Sequence, residues 1–451
     1  MALPQAFLES LTGVAGFNRS SFEAVHASGE QVTSIRVNPG KNSGLDLSGC
    51  KQVPWCPYGY YLPERPSFTL DPLFHAGAYY VQEASSMFIW FVLQQLIGTD
   101  TEKKVLDLCA APGGKSSLLA SYFTNGWVVA NEVIKQRAAV LVENMTKWGT
   151  DHVVVTNNDP AHFQSLPGYF DVMVVDAPCS GSGMFRKDPA AMEEWSEHAV
   201  QLCSQRQQRI LADVLPALAE EGILIYSTCS YSIEEDETIA DWLVQEMGME
   251  AISLSIPSDW GIVETLSPRN KATGYRFYPD RIKGEGFFIA VFRKRSMVTE
   301  SHRLKELALP IPSRQEVQQV QSFLQLPETH LLFKQGEQIR AVPVRWYKDL
   351  QVLAKTLYIK KAGVRIGSIK GKDVIPEHEL AMSHLWKGHF TPIDLSKEQA
   401  LVYLRRKDLL LPDAPKGWNL VAYEDLPLGW VKVLPNRLNN YYPAEWRILK
   451  E

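Results

Sequence analysis

Val105-Leu106-Asp107-Leu108-Cys109-Ala110-Ala111-Pro112-Gly113-Gly114-Lys115-Ser116-Ser117 decides how the rest of the chain is read. It opens as a short apolar run, breaks on Pro-Gly-Gly and resumes as a helical pattern over 116–123. Strand, glycine turn and helix is how an open α/β sheet builds a nucleotide or cofactor pocket. Glycine removes the Cβ that would hold a ligand away, and the helix start offers unpaired N–H groups. A phosphate-gripping P-loop would need glycine at position 109, which is Cys109. The Gly-x-Gly-x-x-Gly dinucleotide fingerprint is also absent. A nucleoside without a long phosphate tail, such as S-adenosyl-L-methionine, is what remains. Glu132 closes the next apolar run, 127–131, where a carboxylate meets ribose hydroxyls.

The alternation continues outward on both sides. Apolar runs at 105–109, 128–131, 152–156, 172–176, 222–227 and 287–292 predict strands, and 135–148, 190–220 and 233–247 predict helices. Ser232 with Glu235 three residues on predicts a capping box for the last helix. This pattern predicts an α/β fold with a mostly parallel sheet over 96–295. Ahead of it, 1–95 reads as a short helix at 4–11, a strand at 34–38, loop at 55–66 and a helix at 82–96. Behind it, 293–312 reads as a linker, with Pro310 and Pro312. Short β-like runs at 339–344, 357–361, 364–369, 420–423 and 429–433 then predict β-rich modules, placed at 313–385 and 390–451.

Composition bounds the function. A chain of 451 residues is too long for one core. Its 45% hydrophobic and 22% charged residues are ordinary for a soluble protein. No apolar run approaches the ~20 residues needed to cross a bilayer, and the first residues lack an export signal. Six cysteines show no disulfide-scaffold spacing and no Cys-x-x-Cys pair for zinc. A reduced, cytoplasmic protein with no membrane contact and no metal is expected, acting as a monomer. The net charge of −5 hides a split. Residues 1–292 carry 20 Lys+Arg against 34 Asp+Glu, and 293–451 carry 26 against 17. Nine basic residues and one acid, Asp349, lie between Arg340 and Lys372, which predicts a polyanion partner for the tail.

Three acids close strands: Glu132, Asp159 and Asp176, with Glu132 suited to ribose and Asp159 to an adenine amino group. Asp176-Ala177-Pro178-Cys179-Ser180-Gly181-Ser182-Gly183 releases an acid and a thiol into a loop, and Tyr226-Ser227-Thr228-Cys229-Ser230 repeats the arrangement one strand later. Two thiols and an acid beside a methyl donor suit methylation of cytosine carbon 5. A thiolate adding to carbon 6 makes carbon 5 nucleophilic, and an acid near ring nitrogen 3 stabilises the developing charge. A free thiol of pKa ~8.5 needs local activation. The base must be unpaired or flipped out. Spacing alone does not say which thiol attacks.

These motifs, with Gln82-Glu83-Ala84-Ser85-Ser86-Met87, resemble the Sun (Fmu) family of RNA 5-methylcytosine methyltransferases over roughly residues 1–295. The tail, Gly363 to Lys372 with Pro376-Glu377-His378-Glu379-Leu380-Ala381 and then Leu420 to Trp446, resembles the bacterial ribosomal-RNA branch called RsmF. The resemblance implies a Rossmann-like methyltransferase core, an N-terminal α+β RNA-binding region, a linking RNA-binding module and a PUA-like end. It implies that Cys109, Ala110, Ala111, Pro112, Gly113, Gly114 and Lys115 line the S-adenosyl-L-methionine pocket. Glu132 would hold ribose, Asp159 would lie near adenine, and Asp176 near the methionine end and the base. Cys229 would be the nucleophile and Cys179 would help release product. The expected partner is RNA, either ribosomal RNA or the small ribosomal subunit, with Arg36, Lys360, Lys361, Arg365, Lys370 and Lys372 as contacts. Transfer RNA, DNA or a non-catalytic assembly role are the alternatives. Two departures from the family pattern stand out: Asp280 after Pro279, and Asn439-Asn440 before Tyr441.

Overall fold

The computed structural model describes residues 3–41, 44–295 and 304–450. Its centre is a ten-stranded sheet. Five strands, β1 (Lys104–Asp107), β2 (Trp127–Asn131), β3 (Val153–Thr156), β4 (Phe170–Asp176) and β5 (Leu218–Thr228), run parallel in the order β3-β2-β1-β4-β5. Every residue of β2 and β3 is buried, as expected of strands covered by helices on both faces. The order reverses between β1 and β4, which opens a crevice at their carboxyl ends. Gly113, at φ 116°, turns the chain out of β1 into helix α1 (Gly114–Tyr122) in a conformation an L side chain resists. Helix α2 (Lys135–Trp148) matches its expected bounds.

Beyond β5 the sheet turns antiparallel through β6 (Phe287–Lys294), Thr273–Phe277 and Val263–Leu266, with Met249–Ile252 also on β6. The last three were not predicted. They are short and carry Glu250, Glu264 and Arg276, so no apolar run marks them. At the opposite edge, β7 (Ile359–Ala362) pairs antiparallel with β3. The tail thus completes the central sheet.

Several expected elements differ. The helix predicted over 190–220 is two helices, Ala190–Glu194 and α3 (Glu197–Val214). Trp195 leaves the helix to pack edge-on against Phe7, and Ser196 caps α3 by accepting from the Ala199 N–H. The helix predicted over 82–96 begins as a tight turn at Ser85–Phe88 before Ile89–Leu96. The capping box at Ser232 does not form, because α4 (Glu237–Gln245) starts after Asp236 and Glu235 is engaged elsewhere. Strand Gly59–Tyr61 lies in the region read as loop. Residues 296–303 of the expected linker lie outside the described residues.

The N-terminal region forms a four-stranded sheet around Ser34–Val37. The tail contributes two further four-stranded sheets, one from His330–Gln335 to Asp373–Pro376 and one from Ile393–Asp394 to Arg437–Asn440. None of the described helices is long and apolar enough to cross a membrane.

Two expected RNA contacts are corrected here. Arg36 is fully buried and ties the N-terminal sheet to the core. It donates to Gln82 Oε1 at 2.8 Å and to Ser117 Oγ, and its guanidinium lies 4.5 Å over the Trp148 ring. Lys361 is 1% exposed, pairs with Glu379 and donates to the Gly363 carbonyl. Neither can reach a phosphate. Both face inward because a buried partner waits for each charge.

Candidate active site

Parallel pairing of β4 with β5 sets Asp176 opposite Ser227, so the two strands release their loops side by side. Cys179 and Cys229 follow, and their Sγ atoms stand 3.1 Å apart. A single carboxylate joins the loops. Glu235 accepts from the Ser180 N–H (2.8 Å) and Oγ (2.6 Å), from Ser230 Oγ (2.6 Å) and from Gln207 Nε2 (3.3 Å). Burial raises the Glu235 pKa, and these donors partly restore its charge. Next to it, Thr228 Oγ1 donates to Asp236, which pairs with Arg276 at 3.1 Å. The loops also meet at Gly183, whose N–H donates to the Cys229 carbonyl at 2.8 Å and where a Cβ would fall 2.8 Å from the same oxygen.

A cavity of about 440 Å³ opens at the switch point. Cys109 to Pro112, Gly114, Lys115, Asp176 and Cys229 form one wall, and Ser34, Tyr80 and Gln82 of the N-terminal region form the other. Lys115 Nζ donates to Asp176 Oδ2 at 2.8 Å, and Ser227 Oγ donates to Asp176 Oδ1 at 2.8 Å. Burial works against the Lys115 ammonium, but Asp176 overcomes it and holds the pKa above the ordinary value. Below the turn, Asp107 accepts from Ser116 Oγ at 2.6 Å, and burial pushes its carboxyl up to about 7.

The two thiols are not equivalent. Cys229 lines the cavity, on the side of Lys115. Cys179 is not part of the cavity wall. Its pKa is raised well above the ordinary thiol value by the contact with Cys229, by burial and by the charge on Glu235.

Of the three strand-end acids, only Asp176 faces the cavity. Glu132 is 3% exposed, accepts from the Ile134 N–H at 2.9 Å and faces Arg137 at 3.6 Å. Asp159 is exposed and caps the next turn by accepting from the Ala161 N–H. On the tail, Lys370 and Lys372 are exposed, Lys360 lies 5.2 Å over the Tyr358 ring, and Arg365 approaches Glu379 at 3.5 Å. Sequence reasoning missed Glu235, Gln207, Tyr80 and Gln82 as parts of the site. The one available signal was the acidic run Glu234-Glu235-Asp236-Glu237 directly after a strand-end thiol.

Comparison with known proteins gives the family and the fold. The family described as 16S rRNA methyltransferase RsmB/F matches residues 94–293. The N-terminal domain of 16S rRNA methyltransferase RsmF matches 3–84, and the methyltransferase RsmF PUA domain matches 390–448. Ribosomal RNA small subunit methyltransferase F of Aliivibrio fischeri (strain MJ11) is 30% identical over 468 residues, covering 98% of this chain and 97% of its own. The protein of the same name from Psychromonas ingrahamii is 30% identical over 473 residues, with 98% and 97% covered. A methyltransferase homolog from Pyrococcus horikoshii superposes with TM-score 0.51 at 28% identity, over 65% of this chain and 100% of its own. NSun6 from the same organism, solved with SFG, an S-adenosylmethionine analogue, shares the fold at TM-score 0.54 and 20% identity, over 65% of this chain and 99% of its own. The chain belongs to the RsmB/F family of 16S rRNA methyltransferases, in its RsmF branch.

Proposed function

We propose that this protein methylates carbon 5 of a cytosine in 16S ribosomal RNA through a covalent bond from Cys229 to carbon 6. The 3.1 Å thiol pair, with Cys229 alone on the cavity wall, carries this reading. The family uses S-adenosyl-L-methionine, which supplies the sulfonium methyl group when bound. The residues present fit it. The cavity of about 440 Å³ lies in the range of small-molecule sites, and its floor is the glycine turn at a helix start. Cys109, Ala110, Ala111, Pro112, Gly114 and Lys115 line the cavity and hold this donor over the turn at Gly113; Glu132 and Asp159, the residues expected at ribose and adenine, stand off its wall.

The chain's own residues then divide the work. Lys115, held charged by Asp176, lines the same cavity wall as Cys229. The Cys229 thiolate adds to carbon 6, and the ring electrons shift to carbon 5. The proton shared by the Lys115–Asp176 pair moves to ring nitrogen 3 and neutralises the charge that develops there. Once carbon 5 carries the methyl group, its proton leaves to water, the ring double bond re-forms, and the carbon–sulfur bond breaks to release Cys229, with the Cys179 thiol 3.1 Å away donating to the departing sulfur. Lys360, Arg365, Lys370 and Lys372 of the tail hold RNA phosphates. The protein acts as a monomer in the cytoplasm and needs no metal for this chemistry.

Two substitutions test the assignment. Cys179→Ala accumulates a covalent protein–RNA adduct with cofactor present, whereas Cys229→Ala is inactive and forms none; the reverse pattern overturns the nucleophile assignment. Bisulfite sequencing of ribosomal and transfer RNA from a deletion strain identifies the substrate, and loss of a transfer-RNA mark alone would refute the ribosomal target.

A further inference from the structure

Asp151, His330 and His384 meet where the catalytic core joins the tail. Asp151 stands just before β3, His330 opens the strand His330–Gln335, and His384 follows the short helix His378–Met382. Both imidazoles turn Nε2 toward one oxygen. His330 lies 2.7 Å and His384 3.5 Å from Asp151 Oδ2. The three donor atoms all lie within 4.8 Å of one another. His330 Nδ1 meets Thr329 Oγ1 at 3.0 Å, so the outer ring nitrogen is engaged and Nε2 faces the cluster. His152 adds Nδ1 at 3.3 Å from the other Asp151 oxygen. The Asp151 and His330 side chains are 12% and 6% exposed, while His384 is 51% exposed. A second cavity, of about 410 Å³ and lined by Thr150, Asp151, His152 and His384, gives a path in.

We propose that Asp151, His330 and His384 bind a transition-metal dication of the Zn²⁺ class, clasping the tail to the catalytic core. Two imidazoles and one carboxylate suit Zn²⁺ and its neighbours, whereas Ca²⁺ and Mg²⁺ prefer oxygen donors. Three protein donors leave a fourth position for water from the cavity. Metal–donor bonds of about 2.0–2.2 Å in a tetrahedron set donors roughly 3.4 Å apart. The Asp151–His384 separation already suits this, and the Asp151–His330 hydrogen bond has to lengthen by less than about 1 Å. On binding, the His330 proton passes from Nε2 to Nδ1, which then donates to Thr329 Oγ1, and the freed Nε2 lone pair takes the metal. Lys41 and Lys387 line the same cavity, and their charge opposes any cation. The site therefore selects an ion that gains from imidazole ligation rather than from charge alone. The clasp is separate from the thiol centre and does not rest on the proposed reaction.

The test uses the full-length protein stripped with a chelator and titrated with Zn²⁺ in a calorimeter. The expected result is one saturable site and a raised melting midpoint. His384→Ala, a half-exposed position that leaves the core intact, is expected to weaken binding at least about tenfold. His330→Gln and Asp151→Asn are expected to do the same. Co²⁺ in place of Zn²⁺ is expected to give the visible absorption of a four- or five-coordinate site. Absence of saturable binding overturns the proposal, as does equal binding by His384→Ala and the parent. Binding abolished by Cys179→Ser with Cys229→Ser, and untouched by His384→Ala, overturns it too, because the ion then sits on the thiols.

Discussion

Replacing Glu235 by alanine frees both thiol loops at once, because one carboxylate holds Ser180 and Ser230. Misplacing reacting groups by about 1 Å can cost roughly a hundredfold. Glu235→Ala is therefore expected to lower kcat by about that factor while cofactor affinity, measured by calorimetry, stays near that of the parent. Similar cofactor affinity with unchanged kcat would show that the clamp is dispensable. Asp107 gives a pH signature. Burial holds its carboxyl at about 7, above its ordinary value of 3.8, so the folded protein keeps a proton that the unfolded chain releases. Stability from this group is full below about 4 and is lost as pH rises through about 7. Asp107→Asn is expected to flatten the fall in melting temperature across that window. The residues that line the cavity at strand ends, Asp176 and Cys229, were legible in the sequence because a parallel sheet gathers such positions on one edge, and Lys115 because it opens the helix after the glycine turn. Glu235 was not, since Ser232-x-x-Glu235 imitates a helix cap and its true partner, Ser180, is 55 residues away. Arg36 and Lys361 were misread because a charge in a sequence looks exposed until its buried partner is known.

Among the elements, the five parallel strands announced themselves as apolar runs, and the family's fold followed. Strand β7 did not announce its neighbour. The run 357–361 was legible as β-like, but nothing in Ile359–Ala362 names β3 as its partner. Pairing is reinforced around it. The Tyr358 N–H donates to Asn158 Oδ1, the Tyr358 carbonyl accepts from the Asn157 N–H, and Trp346 stacks 5.9 Å from Trp127. A chain cut after residue 295 therefore leaves the apolar edge of β3 open, an invitation to edge-to-edge association. Such a fragment is expected to elute as aggregates in size-exclusion chromatography, and a monodisperse fragment would contradict this account.

Across the whole molecule, charge is divided between an acidic front and a basic tail, and the surface decides which basic residues count. Lys370 and Lys372 are exposed, so changing both to alanine is expected to weaken RNA binding and flatten its dependence on log[salt] by about 0.7–0.9 for each phosphate no longer neutralised. Lys361→Ala is expected to behave differently. Buried Glu379 then loses its nearest cation and keeps Arg365, at 3.5 Å, so melting temperature falls while the salt slope holds. Measuring both slopes by fluorescence anisotropy separates the two. The junction of β3 with β7 also has a consequence in time. The ribosome delivers β7 roughly 200 residues after β3, a delay of roughly 10–40 s at ordinary elongation rates. Through that interval the nascent catalytic half hangs from the exit tunnel with its sheet unfinished, so chaperone occupancy of the growing chain should peak there and end as the tail emerges.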